Sequence, residues 1–211
     1  MSQRVAERRH RTIDEIVDVA LAAMAESGAA GLSLGEIAKG MGMRTPSLYG
    51  YFPSKSALCD EIFRRGWTAL TETMRPEYER RPAGSPAALQ RQMTKAMRTF
   101  VGWALAHRAT AELMFWRPIA GWEPAPEAYA PAGELMTLLR ESIARMQGAG
   151  ALRADVRTDE LVDVLVIQTV GVITQQLANE PGVDVASGRF AKRINALVAT
   201  FLARYGATDP R

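Results

Sequence analysis

Between Arg44 and Lys55 the chain reads RTPSLYGYFPSK, a run of hydroxyls on Thr45, Ser47, Tyr49 and Tyr51 with a cation at either end. Hydroxyls both donate and accept hydrogen bonds, and Arg and Lys pair with oxyanions. Only Leu48 and Phe52 in this stretch have much apolar surface to bury. A segment this short and polar is built to touch something other than its own core. Elsewhere the sequence offers no cluster of metal-ligating residues, no glycine-rich phosphate loop and no nucleophile elbow. The chemistry to be expected is recognition rather than bond breaking.

The surrounding residues say how this stretch is held. Ser33 and Glu36 have the Ser-x-x-Glu spacing of a capping box, which predicts a helix starting at Ser33. Ile37, Ala38 and Met41 give it an apolar stripe, and Gly42 can adopt the positive φ that ends a helix. A turn of about three residues follows, with apolar Met43 inside it. Thr45-Pro46 then supplies a cap and a first-turn proline for a second, very short helix that Gly50 and Pro53 bring to an end. Two helices joined by a tight turn, the second presenting its first turn, fit the major groove of DNA.

TPSLYGYFPSK also resembles the recognition-helix signature of the TetR family of transcriptional regulators, and the similarity extends over roughly residues 10 to 65. Members often carry an aromatic residue where this chain has Gly50 and a His where it has Tyr51, so the operator sequence does not follow from the resemblance. The resemblance implies a dimeric repressor that binds double-stranded operator DNA and is released by a small-molecule effector. Carried onto this sequence, Arg44, Thr45 and Ser47 would meet base edges or nearby backbone. Tyr49, Tyr51 and Lys55 would hold phosphates, with Ser33 and Pro46 completing the DNA-binding set.

The 211 residues carry a net charge of +3, with 47% hydrophobic and 23% charged residues, ordinary for a folded protein and weakly suggestive of an acidic partner. The single cysteine, Cys59, excludes an internal disulfide and a cysteine zinc site, and no metal or cofactor is expected. Cys59 itself reads as a small core residue. No apolar run is seen that approaches the roughly 20 residues needed to span a bilayer, and MSQRVAERRH lacks the apolar core of a signal peptide, so no membrane and a cytoplasmic location are expected. The basic cluster Arg4, Arg8, Arg9, His10 and Arg11 reads either as a solvated tail or as an arm for phosphates or the minor groove.

Taken in order, Thr12 and Glu15 form a second capping box, and Ile13, Ile16, Val17, Ala20, Leu21 and Met24 make a full amphipathic stripe. A helix from Pro53-Ser54-Lys55 is predicted to stop before Pro76, where a Pro- and Gly-rich connector begins. Further helices are expected from Ser85-Pro86, from about Ala109 to Trp116, from about Glu127 or Pro131 to Gly148, from a cap at Thr158 to Asn179, and from Ser187 to Tyr205. No useful strand alternation is present. The expected fold is all-α with about nine helices: a DNA-binding head at 1–53, a connecting helix at 54–75, and a ligand-binding and dimerisation domain at 76–211.

The segment from Leu161 to Leu177 is apolar nearly all round, which predicts burial on both sides, the second of them against a partner chain or within a monomeric bundle of which it is the central helix. Val172, Ile194, Val198 and Phe201 are the expected homodimer contacts. Between connector and dimer helices, Trp67, Phe100, Trp103, Phe115, Trp116, Trp122 and Met136 are candidates to line an effector cavity, with His107, Gln168 and Gln175 as its orienting polar groups. Two alternatives stand beside the regulator: a helical enzyme, for which His107 would have to carry turnover, and a DNA-binding protein that senses nothing.

Overall fold

The computed structural model describes residues 3–207, so the outermost residues of the expected first and last segments, 1–2 and 208–211, lie outside the described residues. Among the described residues there are nine α-helices and no strand; the only extended pairing is an isolated antiparallel bridge between Leu152 and Gly206. The chain divides into two compact units, residues 1–66 with 108–130, and residues 67–107 with 131–211.

The first unit contains α1 (Gln3–Ser27), α2 (Leu34–Gly40), α3 (Thr45–Tyr49), the first half of α4 (Lys55–Tyr78), and α6 (Arg108–Trp116); α5 (Pro86–Ala106) belongs to the other unit. Its core joins Ile16, Val17, Ala20 and Met24 of α1 to Ile37 and Ala38 of α2, Leu48 of α3, and Leu58, Ile62 and Phe63 of α4. Helix α1 begins at Gln3, nine residues before the expected start. The Thr12 hydroxyl does not cap; it donates to the Arg8 carbonyl one turn back, at 3.1 Å. Ala, Glu and Arg in residues 3–11 are good helix formers, and extending an existing helix needs no new nucleus, so propagation wins over the local cap.

Between α2 and α3 the chain turns as expected. Gly42 has φ +63, the Met43 N–H donates to the Ala38 carbonyl and the Gly42 N–H to that of Lys39. This is the Schellman pattern that satisfies the last carbonyls of a helix. Gly66 on α4 marks a close crossing: a Cβ there would lie 2.5 Å from both Met114 Sδ and Thr110 Cγ2 of α6. The loop after α6 is tied to α4 by Asp60, whose carboxylate accepts from the Trp122 indole N–H at 3.0 Å and from the Ala125 N–H at 3.3 Å. Phe63 packs edge-on against Trp122 and Tyr129.

The second unit contains the rest of α4, α5 (Pro86–Ala106), α7 (Ala130–Gly148, from Pro131), α8 (Thr158–Asn179) and α9 (Ile194–Tyr205), with α5 packed on both α8 and α9. Helix α4 continues through Pro76 to Tyr78 instead of stopping. Proline in the final turn removes a single N–H, and Met74, fully buried, and Glu77, nearly so, hold that turn in the core. The Tyr78 carbonyl accepts from Arg145. Ser85 caps α5 as expected, its hydroxyl accepting from the Ala88 N–H.

Thr158 stands inside α8 rather than capping it; Arg157 is the cap residue and the Thr158 hydroxyl donates to Gln147 Oε1 at 2.7 Å. Helix α9 starts at Ile194, after a 3₁₀ turn, rather than at Ser187. Side chains take the N–H groups in between: Asp184 accepts from Ala186 and Ser187, Glu180 from Arg189, and Gln176 from Phe190 and Ala191. By length and composition α8 is apolar enough to cross a membrane, contrary to the reading of the bare sequence. Its packing against α5 and α9 identifies it as a core helix of the second unit.

Candidate nucleic-acid interface

Helix α3 is anchored by one residue and presents the rest. Leu48 is fully buried, while Tyr49 is 50% exposed and Arg44, Pro46 and Ser47 are exposed; Thr45 and Tyr51 are half-buried. The expected cap is displaced by one position: Arg44 is the cap residue, its carbonyl accepting from the Ser47 N–H, and Thr45 occupies the first helical position without a capping bond. Pro46 follows in the first turn, where its missing N–H costs no intrahelical bond. Ser33 does occupy the cap position of α2, but through its backbone; its hydroxyl makes no capping bond.

Two cations lock this surface from either side. The Lys55 ammonium donates to the Ala30 carbonyl at 3.1 Å, tying the start of α4 to the turn after α1 and leaving two further N–H groups for an acceptor. Arg9, on the early turns of α1, donates to the Gly50 carbonyl at 3.0 Å and lies 5.0 Å from the centre of the Tyr51 ring. The basic segment is therefore a helical arm fastened to the end of α3. Sequence reasoning read Arg9 with its cluster as a solvated tail or a DNA-contacting arm and did not foresee its bond to Gly50, because a contact across 41 residues has no local signature.

The pose of α1 on α4 is fixed by a charge network. Arg65 reaches Asp14 at 2.7 Å and Glu61 at 2.6 Å, and Arg64 holds Glu61 with both ends of its fork. Burial pushes the Glu61 carboxyl up, but the hydrogen bonds and charges of Arg64 and Arg65 outweigh it and hold the group below its ordinary range. Beside them Cys59 is fully buried, and that burial pushes its thiol up to about 11 against the pull of Lys55. It is an inert core residue, as the sequence suggested.

The effector candidates fall in both units. Phe115, Trp116 and Trp122 belong to the first unit, Trp122 buried and held by Asp60. Trp67, Phe100, Trp103, Met136 and Gln168 belong to the second, where all are buried or half-buried. His107 is exposed, stacked on Trp103 at 4.6 Å and bonded to that residue's carbonyl, so it closes the end of α5 instead of facing an interior. Gln175 is exposed as well; the buried amide of α8 is its neighbour Gln176, which the sequence reading missed. Gln168 is half-buried, and its Oε1 is buried with no hydrogen-bond partner among the described residues.

The expected dimer residues are corrected too. Val172, Ile194, Val198 and Phe201 are all buried in the core of the second unit itself, where they have almost no surface to offer a partner. An amphipathic stripe looks the same whichever neighbour it faces. The outward side of α8 carries Ile167, 70% exposed, with half-buried Val164 and Val170.

A helix-turn-helix head followed by an all-helical second unit defines the architecture of a DNA-binding regulator, and the comparisons agree. Residues 16–62 match the family described as bacterial regulatory proteins, tetR family, and residues 93–201 match the tetracyclin repressor-like C-terminal domain. The chain belongs to the TetR family of helix-turn-helix transcriptional regulators. It is 26% identical to the HTH-type transcriptional regulator Mb1846 of Mycobacterium bovis, over 93% of this chain and 84% of that protein. It is 31% identical to the HTH-type transcriptional regulator AcrR of Shigella flexneri, but that match spans 44% of this chain and 43% of the relative. Among solved structures, FadR of Bacillus subtilis in complex with stearoyl-CoA superimposes with a TM-score of 0.68 at 13% identity, covering 90% of this chain and 97% of that one, a likeness of fold.

Proposed function

We propose that this chain is a homodimeric transcriptional repressor, acting in the cytoplasm, that binds operator DNA through α3 and is released by a small apolar or aromatic effector held in its C-terminal unit. The observation that carries the DNA half is the outward polar face of α3, Arg44, Thr45, Ser47 and Tyr49, on a helix pinned inward by Leu48 and at its end by Arg9. Arg44, Thr45 and Ser47 are assigned to base edges, Tyr49, Tyr51 and Lys55 to phosphates. The exposed apolar side of α8 around Ile167 supports pairing with a second copy. Pairing would place two α3 helices on half-sites about one helical turn, or a multiple, apart. For the effector, the buried Gln168 Oε1, which has no hydrogen-bond partner among the described residues, supports a ligand that donates one hydrogen bond.

The test is binding of the purified protein to DNA flanking its own gene, at two salt concentrations, beside Ser47→Ala and Tyr49→Ala. Saturable binding that weakens with salt and is lost in both variants supports the reading. Binding no tighter than to random DNA, in that flank and in a genome-wide selection of bound fragments, sinks it.

A further inference from the structure

Along α5, Arg91, Lys95 and Arg98 recur at i, i+4 and i+7 and so share one face. Together with Thr94, Thr99 and Asn195 they line a groove of about 390 Å³ within the second unit. The lining holds three cations and no carboxylate. Glu77 reaches Lys95 at 2.6 Å from outside the lining, but it also has Arg80 at 3.7 Å, so the surroundings stay cationic.

The groove is rich in donors that the fold does not use. Arg91 is exposed and has no ion pair or hydrogen bond among the described residues. Arg98 gives one N–H to the Val185 carbonyl at 3.2 Å and keeps the rest of its fork. Asn195 Oδ1 accepts from Gln90 and Thr94, which leaves its amide N–H groups as the donors to spare. Like charges one turn apart on a helix are mutually unfavourable, and a folded subunit gains nothing from lining them up. A phosphate offers what is missing: several acceptor oxygens and a negative charge, matched in geometry by the planar arginine fork. The volume leaves room beside a phosphate for a body the size of a sugar or nucleoside.

We propose that the groove between α5 and α9 binds a small phosphate-bearing metabolite, with Arg91 and Arg98 gripping phosphate oxygens and Asn195 and Thr99 orienting them. This site is separate from the effector reading above and does not rest on it. DNA phosphates share the chemistry, so the experiment carries an arm for each source. Full-length protein is titrated calorimetrically with pyrophosphate, and separately with a random-sequence duplex, for wild type, Arg91→Gln, the double variant Arg91→Gln/Arg98→Gln, and Arg157→Gln as an exposed control on another surface. The expected result is saturable pyrophosphate binding, one per subunit, weakened at least about tenfold by Arg91→Gln alone and unchanged by Arg157→Gln, with duplex affinity unaffected. Arg91 supports no other part of the fold, so the single variant is informative even if the double one is unstable. Absence of saturable pyrophosphate binding overturns the proposal, as does equal weakening by Arg157→Gln. Loss of duplex binding with pyrophosphate binding intact would transfer the groove to nucleic acid and equally overturn it.

Discussion

Arg9→Ala is expected to weaken operator binding although Arg9 lies outside the helix-turn-helix itself. Its guanidinium makes a charge-assisted hydrogen bond to the Gly50 carbonyl at 3.0 Å and sits 5.0 Å from the Tyr51 ring centre. The ring contact at an exposed site is worth about 0.5–1 kcal/mol and the charged hydrogen bond about 1.5 kcal/mol at the low end of its range. Ordering a long side chain offsets part of this, so about 1.5–2 kcal/mol remains for holding the end of α3, or roughly ten- to thirtyfold in affinity. Arg9→Lys keeps the charge but not the planar fork and should recover less than about half of the loss. The assay is fluorescence anisotropy on labelled operator across a salt series. If Arg9 acts by positioning α3, the affinity falls at every salt concentration while the salt slope changes by less than about half a unit; a lost phosphate contact would lower it by about 0.9. Binding within twofold of wild type refutes the reasoning. So does a full-unit change of slope that Arg9→Lys restores, since the side chain would then be acting as a point charge on DNA.

Two further outcomes concern stability. Gln176→Leu leaves the Phe190 and Ala191 N–H groups without acceptors, and at about 1–3 kcal/mol for each the unfolding free energy in denaturant should fall by about 2–6 kcal/mol; a loss under 1 kcal/mol would show that water replaces the amide. Glu61 titrates lower in the folded chain than its ordinary 4.5, so its contribution is complete above that value and is lost as pH falls below it. The urea midpoint should therefore drop on acidification below about pH 4.5, less steeply in Glu61→Gln, and equal slopes in the two proteins would remove Glu61 as the cause.

The helix-turn-helix was legible because its signals are local: Gly42 ends α2 and Pro46 sits in the first turn of α3 by conformational preferences that act over a few residues. Capping boxes were less trustworthy for the same reason. Thr12 lost to a helix already running, and the Ser33 hydroxyl caps nothing. What failed at Pro76 was a local rule overruled by tertiary burial of Met74 and Glu77. On α8 nearly every face is apolar, so nothing in the spacing told Gln175, which is exposed, from Gln176, which is buried one position further round. Ile194, Val198 and Phe201 announced an inward stripe without naming whose interior it faced. Arg9 on Gly50 and Asp60 on Trp122 join residues far apart in the chain, and periodicity carries no information about such pairs.

The packing of residues 108–130 with residues 1–66 bears on how such a protein can be taken apart. A fragment cut after the helix-turn-helix, or even at Gly66, would strip α6 from the bare Cα of that glycine and the Trp122 and Tyr129 rings from Phe63. The reading head is thus not a detachable cassette. Grafting its specificity onto a relative's sensor requires transplanting two stretches of sequence together, and a recombination breakpoint placed between them would have to preserve the α4–α6 crossing to yield a folded hybrid.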